Sequence, residues 1–163
     1  MYKTLIIIPS RLAANRLPNK PLLEINKIPM VMHVYNKAKK ANIGEVCVAT
    51  PDQEIFDLVK KFGGKSILTS KDHLSGTDRV FEAYKKMNNQ EIEIVINLQG
   101  DMPNIQSENI KTLYELMIKN KKGIGTLASK IHNKKELDNI NIVKVKTSDP
   151  LNTKNFLKSL DFF

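Results

Sequence analysis

The chain has 163 residues, 41% of them apolar, which is enough for one domain with a real core, since chains of this size bury roughly 68–70% of their unfolded surface. Its 26 basic and 17 acidic residues give a formal charge of +9, a balance that suits nucleic acid, an anionic surface or a phosphorylated small molecule. A single cysteine, Cys47, excludes an internal disulfide and a multi-cysteine zinc site, and no apolar run approaches the ~18 to 20 residues needed to span a bilayer, so the expectation is a cytoplasmic protein without membrane insertion.

Thr4–Pro9 (TLIIIP) is a continuous apolar run of strand length rich in β-branched residues, the pattern of a strand covered on both faces. The stretch from Ser10 to Pro29 contains three prolines and two arginines and no clear periodicity, and long ordered loops of this kind are usually functional. Met30, Val34, Ala38 and Ala41 then mark one face of a helix, and Glu45–Thr50 (EVCVAT) reads as a second strand. Thr50 and Gln53 form a capping-box pattern with Pro51 at the first helical position, predicting a helix with the stripe Ile55, Leu58, Val59, Phe62 that Gly63-Gly64 stops.

A short third strand is expected at Lys65–Thr69, then a helix capped by Ser75 with Val80, Phe81, Tyr84 and Met87 on its inner face. Ile92–Leu98 reads as a fourth strand running into Gln99-Gly100-Asp101, followed by a helix striped by Ile110, Leu113, Tyr114 and Met117. This alternation predicts an α/β fold with a mostly parallel sheet and helices on both faces, in which ligands gather beyond the carboxyl ends of the strands. Gly125–Ile131 and Ile142–Thr147 look like further strands, and the apolar end (Phe156, Leu157, Leu160, Phe162, Phe163) reads as a core element cut short.

Three loops follow three strands and should converge on one rim of the sheet. Only three of the 26 cations are arginines, and the first loop holds two of them, Arg11 and Arg16, together with Lys20. Three cations after a strand end make a polyphosphate cradle, although neither GxGxxG nor GxxxxGK[ST] is present and a solvated basic loop is the plain alternative. Asp101 offers a hard oxygen ligand suited to Mg²⁺ shared with substrate phosphates; its alternative is a turn cap. Ser75, Gly76 and Thr77 stand at a helix start whose free N–H groups suit a nucleotide or phosphate, and His73 in the same loop is either a proton-transfer group or a structural hydrogen-bonder.

The segments IIIPSRLAANRLPNKPLLEI, ATPDQEI, TSKDHLSGTDRV and VINLQGD, in this order, closely resemble 3-deoxy-manno-octulosonate cytidylyltransferases over about residues 1–147. The resemblance implies a Rossmann-like nucleotidyltransferase fold and the reaction of CTP with 3-deoxy-manno-octulosonate (Kdo) for lipopolysaccharide biosynthesis. It implies a catalytic set of Arg11, Lys20 and Asp101, with Asp101 as the Mg²⁺ ligand and Arg11 and Lys20 on the triphosphate. It places Arg16 in support of that loop and Ser75, Gly76, Arg79 and Gln99 around cytidine, with His73 in the same nucleotide-binding set. Against the family pattern, Asn19 replaces a glycine and Met102 replaces an acidic residue beside the metal. Asparagine is the non-glycine residue that best tolerates a left-handed turn. Family members also continue beyond this length, so the expectation is a single nucleotide-binding domain over residues 1–163, lacking the C-terminal part that in the family carries most sugar contacts, a second metal-binding aspartate and much of the homodimer surface. Alternatives from other classes are a CTP-binding remnant without turnover, a cytidylyltransferase for another sugar acid such as sialic acid, and a nucleic-acid-binding module. The last explains only the charge, because at 6% aromatic content with no tryptophan there is little to stack bases on, so no nucleic-acid partner is expected.

Overall fold

The structure, a computed structural model, describes residues 3–13, 17–150 and 157–162. The chain forms two compact units, Met1–Lys111 and Thr112–Phe163. In the first, β1 (Lys3–Pro9), β4 (Glu45–Thr50), β5 (Ser66–Leu68) and β6 (Ile92–Asn97) make one parallel sheet in the order β5-β4-β1-β6. A short 3-10 turn (Lys20–Leu22) and the small antiparallel pair β2 (Glu24–Ile25) and β3 (Ile28–Pro29) precede helix α1 (Met30–Ala41). Helices α2 (Gln53–Lys61) and α3 (Gly76–Met87) fill the crossovers, and α4 (Ser107–Asn120) runs from the first unit into the second.

Both faces of β1 and β4 are covered, which explains why TLIIIP and EVCVAT are apolar along most of their length rather than alternating, whereas β6 at the sheet edge is buried only at Ile96. Leu5, Ile7, Cys47 and Ala49 pack with Val80 and Ala83 of α3. On the opposite face Ile6, Ile8, Val46 and Val48 are no more than 1% exposed, and α1 and α2 both contact β4. The burial of Cys47, with Glu45 nearby, pushes its thiol up to about 12, so this cysteine is an apolar filler rather than a nucleophile.

Several expectations are corrected. Thr50 does not cap α2, because it still belongs to β4, paired with Leu68 and fully buried; its Oγ1 accepts the Asp52 N–H at 3.1 Å and the helix starts at Gln53 after Asp52. Phe81 is 59% exposed, because the buried stripe of α3 runs through Val80 and Ala83, leaving its ring beneath the Lys85 ammonium. Phe62, just past the end of α2, is exposed as well. Within the long first loop, which shows no periodicity in sequence, lie the 3-10 turn and the β2–β3 pair, whose Asn26 and Lys27 both take positive φ, as a tight two-residue hairpin turn requires.

The second unit holds helix α5 (Lys134–Asp138) and the antiparallel pair β7 (Val145–Thr147) and β8 (Ser159–Phe162). Gly125–Ile131 is not a strand, since no neighbouring strand pairs with it among the described residues. The apolar end is an exposed hairpin strand rather than core, with Leu160 and Phe162 53% and 54% exposed; Phe156 and Phe163 lie outside the described residues.

Candidate active site

Strands β1 and β6, far apart in sequence, lie side by side because the chain builds outward through β4 and β5 and then crosses back to the other edge of β1. The carboxyl ends of strands flanking such a reversal form the crevice in which open α/β sheets bind ligands. Here they open onto a cleft of about 610 Å³, within the first unit, that brings together Arg11, Lys20, Ser75, Gly76, Arg79 and Asp101. Gln99 also lines it, with its amide donating to Asn97 Oδ1 at 2.9 Å.

The loop after β1 is anchored at its start. The Ser10 N–H donates to the Ala49 carbonyl at 2.9 Å, and the Leu12 N–H to Asp52 Oδ2 at 2.8 Å, which fixes the backbone on either side of Arg11. Further on, Asn19 takes φ 57°, ψ 17°, the left-handed conformation expected of the residue replacing glycine, and starts the 3-10 turn that carries Lys20. Across the cleft, Gly100 lets the β6 turn approach β1 so closely that a Cβ there would stand 2.7 Å from the Pro9 carbonyl oxygen. The turn then presents Asp101, whose Oδ2 meets Lys20 Nζ at 3.2 Å.

Helix α3 supplies the third wall. Ser75 is its N-cap in a full capping box, its Oγ accepting the Asp78 N–H at 3.2 Å while Asp78 Oδ2 accepts the Ser75 N–H at 3.2 Å. The Asp78 carboxylate occupies the helix end that the sequence offered to a phosphate, so an anion is better placed nearer Arg11 and Lys20. Arg79, one turn on, is only 3% exposed; its Nη1 donates to Thr69 Oγ1 at 2.5 Å and to the Ser70 carbonyl at 2.9 Å. Burial and the neighbouring Arg11 charge pull its guanidinium below the ordinary arginine value, with Asp52 and Glu82 acting the other way. A buried cation held by neutral acceptors beside a second cation makes this wall attractive to an anionic ligand.

His73 is not among the cleft's lining residues: its Nε2 faces Glu82 Oε2. Arg16 lies outside the described residues. No group of three or more His, Cys, Asp and Glu side chains gathers among the described residues to hold a metal unaided. The lone carboxylate of Asp101 in a cationic cleft instead fits a hard divalent ion shared with ligand phosphates.

Sequence reasoning missed two features. Ser10 lines the cleft yet its Oγ is buried without a hydrogen-bond partner among the described residues. Glu82, three residues after Arg79 and so on the same side of α3, ties down the loop before that helix; the i, i+3 spacing of opposite charges was the available signal.

Among the described residues, no helix is long and apolar enough to cross a membrane. The chain matches the cytidylyltransferase family over residues 5–161. It is 48% identical over 144 residues to the 3-deoxy-manno-octulosonate cytidylyltransferase of Rhodopseudomonas palustris (strain BisB18), a match covering 88% of this chain and 59% of that protein. Across the curated relatives compared, the chain spans 55% to 65% of their length. Its fold is similar to that of CMP:2-keto-3-deoxy-manno-octonic acid synthetase complexed with CTP, with a TM-score of 0.68 and 46% identity over 73% of this chain and 48% of that one. A cytidylyltransferase from Leptospira borgpetersenii serovar Hardjo-bovis (strain JB197) is also similar, with a TM-score of 0.63 and 28% identity over 74% of this chain and 51% of that one. The family match across nearly the whole chain and the parallel sheet with its cation-lined crevice agree: the chain belongs to the cytidylyltransferase family.

Proposed function

We propose that the cleft binds CTP with Mg²⁺ and that the protein transfers the cytidylyl group to Kdo for lipopolysaccharide synthesis in the cytoplasm, releasing pyrophosphate. The observation that carries this reading is the convergence of Arg11, Lys20 and Arg79 with the single carboxylate Asp101 at the reversal point of the sheet. Names of the relatives supply the acceptor: the similar proteins are 3-deoxy-manno-octulosonate cytidylyltransferases, and the similar solved structure is a complex with CTP.

In this reading Arg11 and Lys20 hold the triphosphate, which the capping carboxylate of Asp78 keeps away from the start of α3. Ser75, Gly76, Arg79 and Gln99 form the nucleoside side of the cleft. Asp101 exchanges its ion pair with Lys20 for the metal, and Lys20 turns to phosphate. When bound, Mg²⁺ would supply charge neutralisation on the triphosphate. An anomeric hydroxyl of Kdo attacks the α-phosphorus in line and gives up its proton to solvent, forming the new P–O bond as the bond from the α-phosphorus to the bridging oxygen breaks and pyrophosphate leaves with that electron pair. Such a transfer needs positioning and charge stabilisation rather than a covalent enzyme intermediate.

Calorimetric titration of CTP·Mg²⁺ against the parent chain and Arg11→Ala tests the cradle. A charge-assisted phosphate contact contributes about 1.5–3 kcal/mol, so binding should weaken about tenfold or more. Equal affinity for the two proteins would remove Arg11 from the site, and displacement of CTP by short RNA at physiological salt would favour the nucleic-acid reading. Kdo-dependent pyrophosphate release tests the transfer; CTP binding without release would favour the nucleotide-binding reading without turnover.

A further inference from the structure

The loop between β5 and α3 delivers Ser75 and Gly76 to the cleft, yet Thr69–Ser75 contains no regular structure and Leu74 is 95% exposed. Apolar burial at Leu74 therefore contributes nothing to holding this loop. Its anchor is polar and comes from the second turn of α3. Glu82 Oε2 accepts the Ser70 N–H at 2.8 Å and faces His73 Nε2, while Oε1 accepts from Lys86 Nζ at 2.8 Å. Burial by itself would raise the Glu82 carboxyl, but the hydrogen bonds from Lys86, the Ser70 N–H and His73 outweigh it and hold it down at about 2.

The same residue of the loop is gripped from its other side. The Ser70 carbonyl accepts from Arg79 Nη1 at 2.9 Å, and Thr69 Oγ1 accepts from that nitrogen at 2.5 Å. Arg79 and Glu82 stand three apart on α3, so one helix face holds Ser70 by its N–H and by its carbonyl. Arg79 makes no ion pair among the described residues, and Glu82 and Asp52 are the carboxylates whose charge favours its cationic form. Glu82 does not line the cleft; Arg79 does.

We propose that Glu82 is a positioning residue for the nucleotide cleft: by fixing Ser70 it sets the Thr69–Ser75 loop and the Arg79 guanidinium in the geometry that receives the nucleotide. The chain of contacts runs from Glu82 through the Ser70 peptide groups to Arg79 and the cleft. This rests on the reading of the cleft as a CTP site. Groups that support a binding residue from behind commonly govern affinity as strongly as a contact, because the bound geometry tolerates little displacement.

Two measurements on the 163-residue chain test it. In calorimetry with CTP·Mg²⁺, Glu82→Ala should bind about tenfold more weakly, and Glu82→Gln, whose amide oxygen still accepts the Ser70 N–H, should return to within about threefold of the parent. Lys86→Met, which removes the ion pair to Glu82 and a bond to the Leu68 carbonyl but none of the contacts to Ser70, should stay within about twofold. If Glu82→Ala does not fold, Glu82→Asp takes its place, since it keeps the charge but falls one methylene short of Ser70. Parent-like affinity in the folded Ala or Asp variant overturns the proposal, as does a Gln variant no tighter than Ala. The second measurement needs no nucleotide: with only three arginines in the chain, the Arg79 Nη1–H signal, whose protons are bonded to Thr69 and Ser70, is resolvable in a nitrogen-15 spectrum. It should be slow to exchange in the parent and fast or absent in Glu82→Ala. Failure of the parent to bind CTP would refute the nucleotide reading itself, and the exchange measurement would still decide whether Glu82 holds Arg79.

Discussion

Replacing Gly100 by alanine places a methyl group where two strand ends nearly touch. The new Cβ would lie 2.7 Å from the Pro9 carbonyl oxygen, 3.5 Å from Ile8 Cγ2 and 3.6 Å from Ser10 Cβ, so only the first contact is out of range. Ordinary contact begins near 3.4 Å, which leaves about 0.7 Å to be found by movement. Pro9 is paired with Ala49 in β1, so the exposed turn after β6 is the partner that shifts, carrying Gln99 and Asp101 with it. Overpacking of this kind costs about 1–3 kcal/mol, corresponding to a melting temperature lower by about 3–10 °C for a chain of this size. Because a misplacement approaching 1 Å can cost up to about a hundredfold in catalysis, the affinity for CTP·Mg²⁺ should drop about tenfold. The control is Gly44→Ala, whose Cβ would stand 2.1 Å from the Thr4 carbonyl oxygen, a worse clash at a site that does not line the cleft. It should destabilise more than Gly100→Ala, yet bind CTP·Mg²⁺ normally per folded molecule. Thermal melts followed by calorimetry at a temperature where both variants are folded give the two readouts. Unchanged affinity in Gly100→Ala, or an equal loss in Gly44→Ala, would refute the argument that this close approach positions the site.

Two other outcomes are expected. Ser10→Ala removes a buried hydroxyl that has no partner among the described residues, and relief of that desolvation should raise the melting temperature by a few degrees, about 1 kcal/mol; a lower melting temperature would mean that the hydroxyl is satisfied in solution. Lys20→Met frees Asp101 from its ion pair and removes a cation from beside the metal position, so Mn²⁺ alone, followed by its paramagnetic signal, should bind about five- to twentyfold more tightly, while CTP·Mg²⁺ binds more weakly. Mn²⁺ affinity equal in the two proteins would detach Asp101 from the metal.

Much of this protein is written locally. TLIIIP and EVCVAT are strands because short apolar runs rich in β-branched residues suit a strand covered on both faces, IEIVIN is one because isoleucine and valine dominate it, and Ser75 caps α3 because serine followed three residues later by an acidic side chain closes a box within one turn. The placement of Arg11, Lys20, Ser75 and Asp101 on one rim was legible for a related reason: in a parallel sheet every loop that follows a strand leaves from the same edge. Local patterns fail where the deciding partner is distant in sequence. Thr50 looks like a helix cap until Leu68 claims it for the sheet, and Gly125–Ile131 has a strand's composition without a neighbour to pair with. The exposed Leu160 and Phe162 carry core composition into a hairpin strand. The Lys20–Asp101 pair spans 81 residues, and Glu82 reaches back 12 residues to Ser70; neither contact repeats with a period or forms a motif. Strand order and side-chain contacts between loops are set by which surfaces meet once the sheet has assembled, and that information exists only when distant segments are brought within a few ångströms of one another.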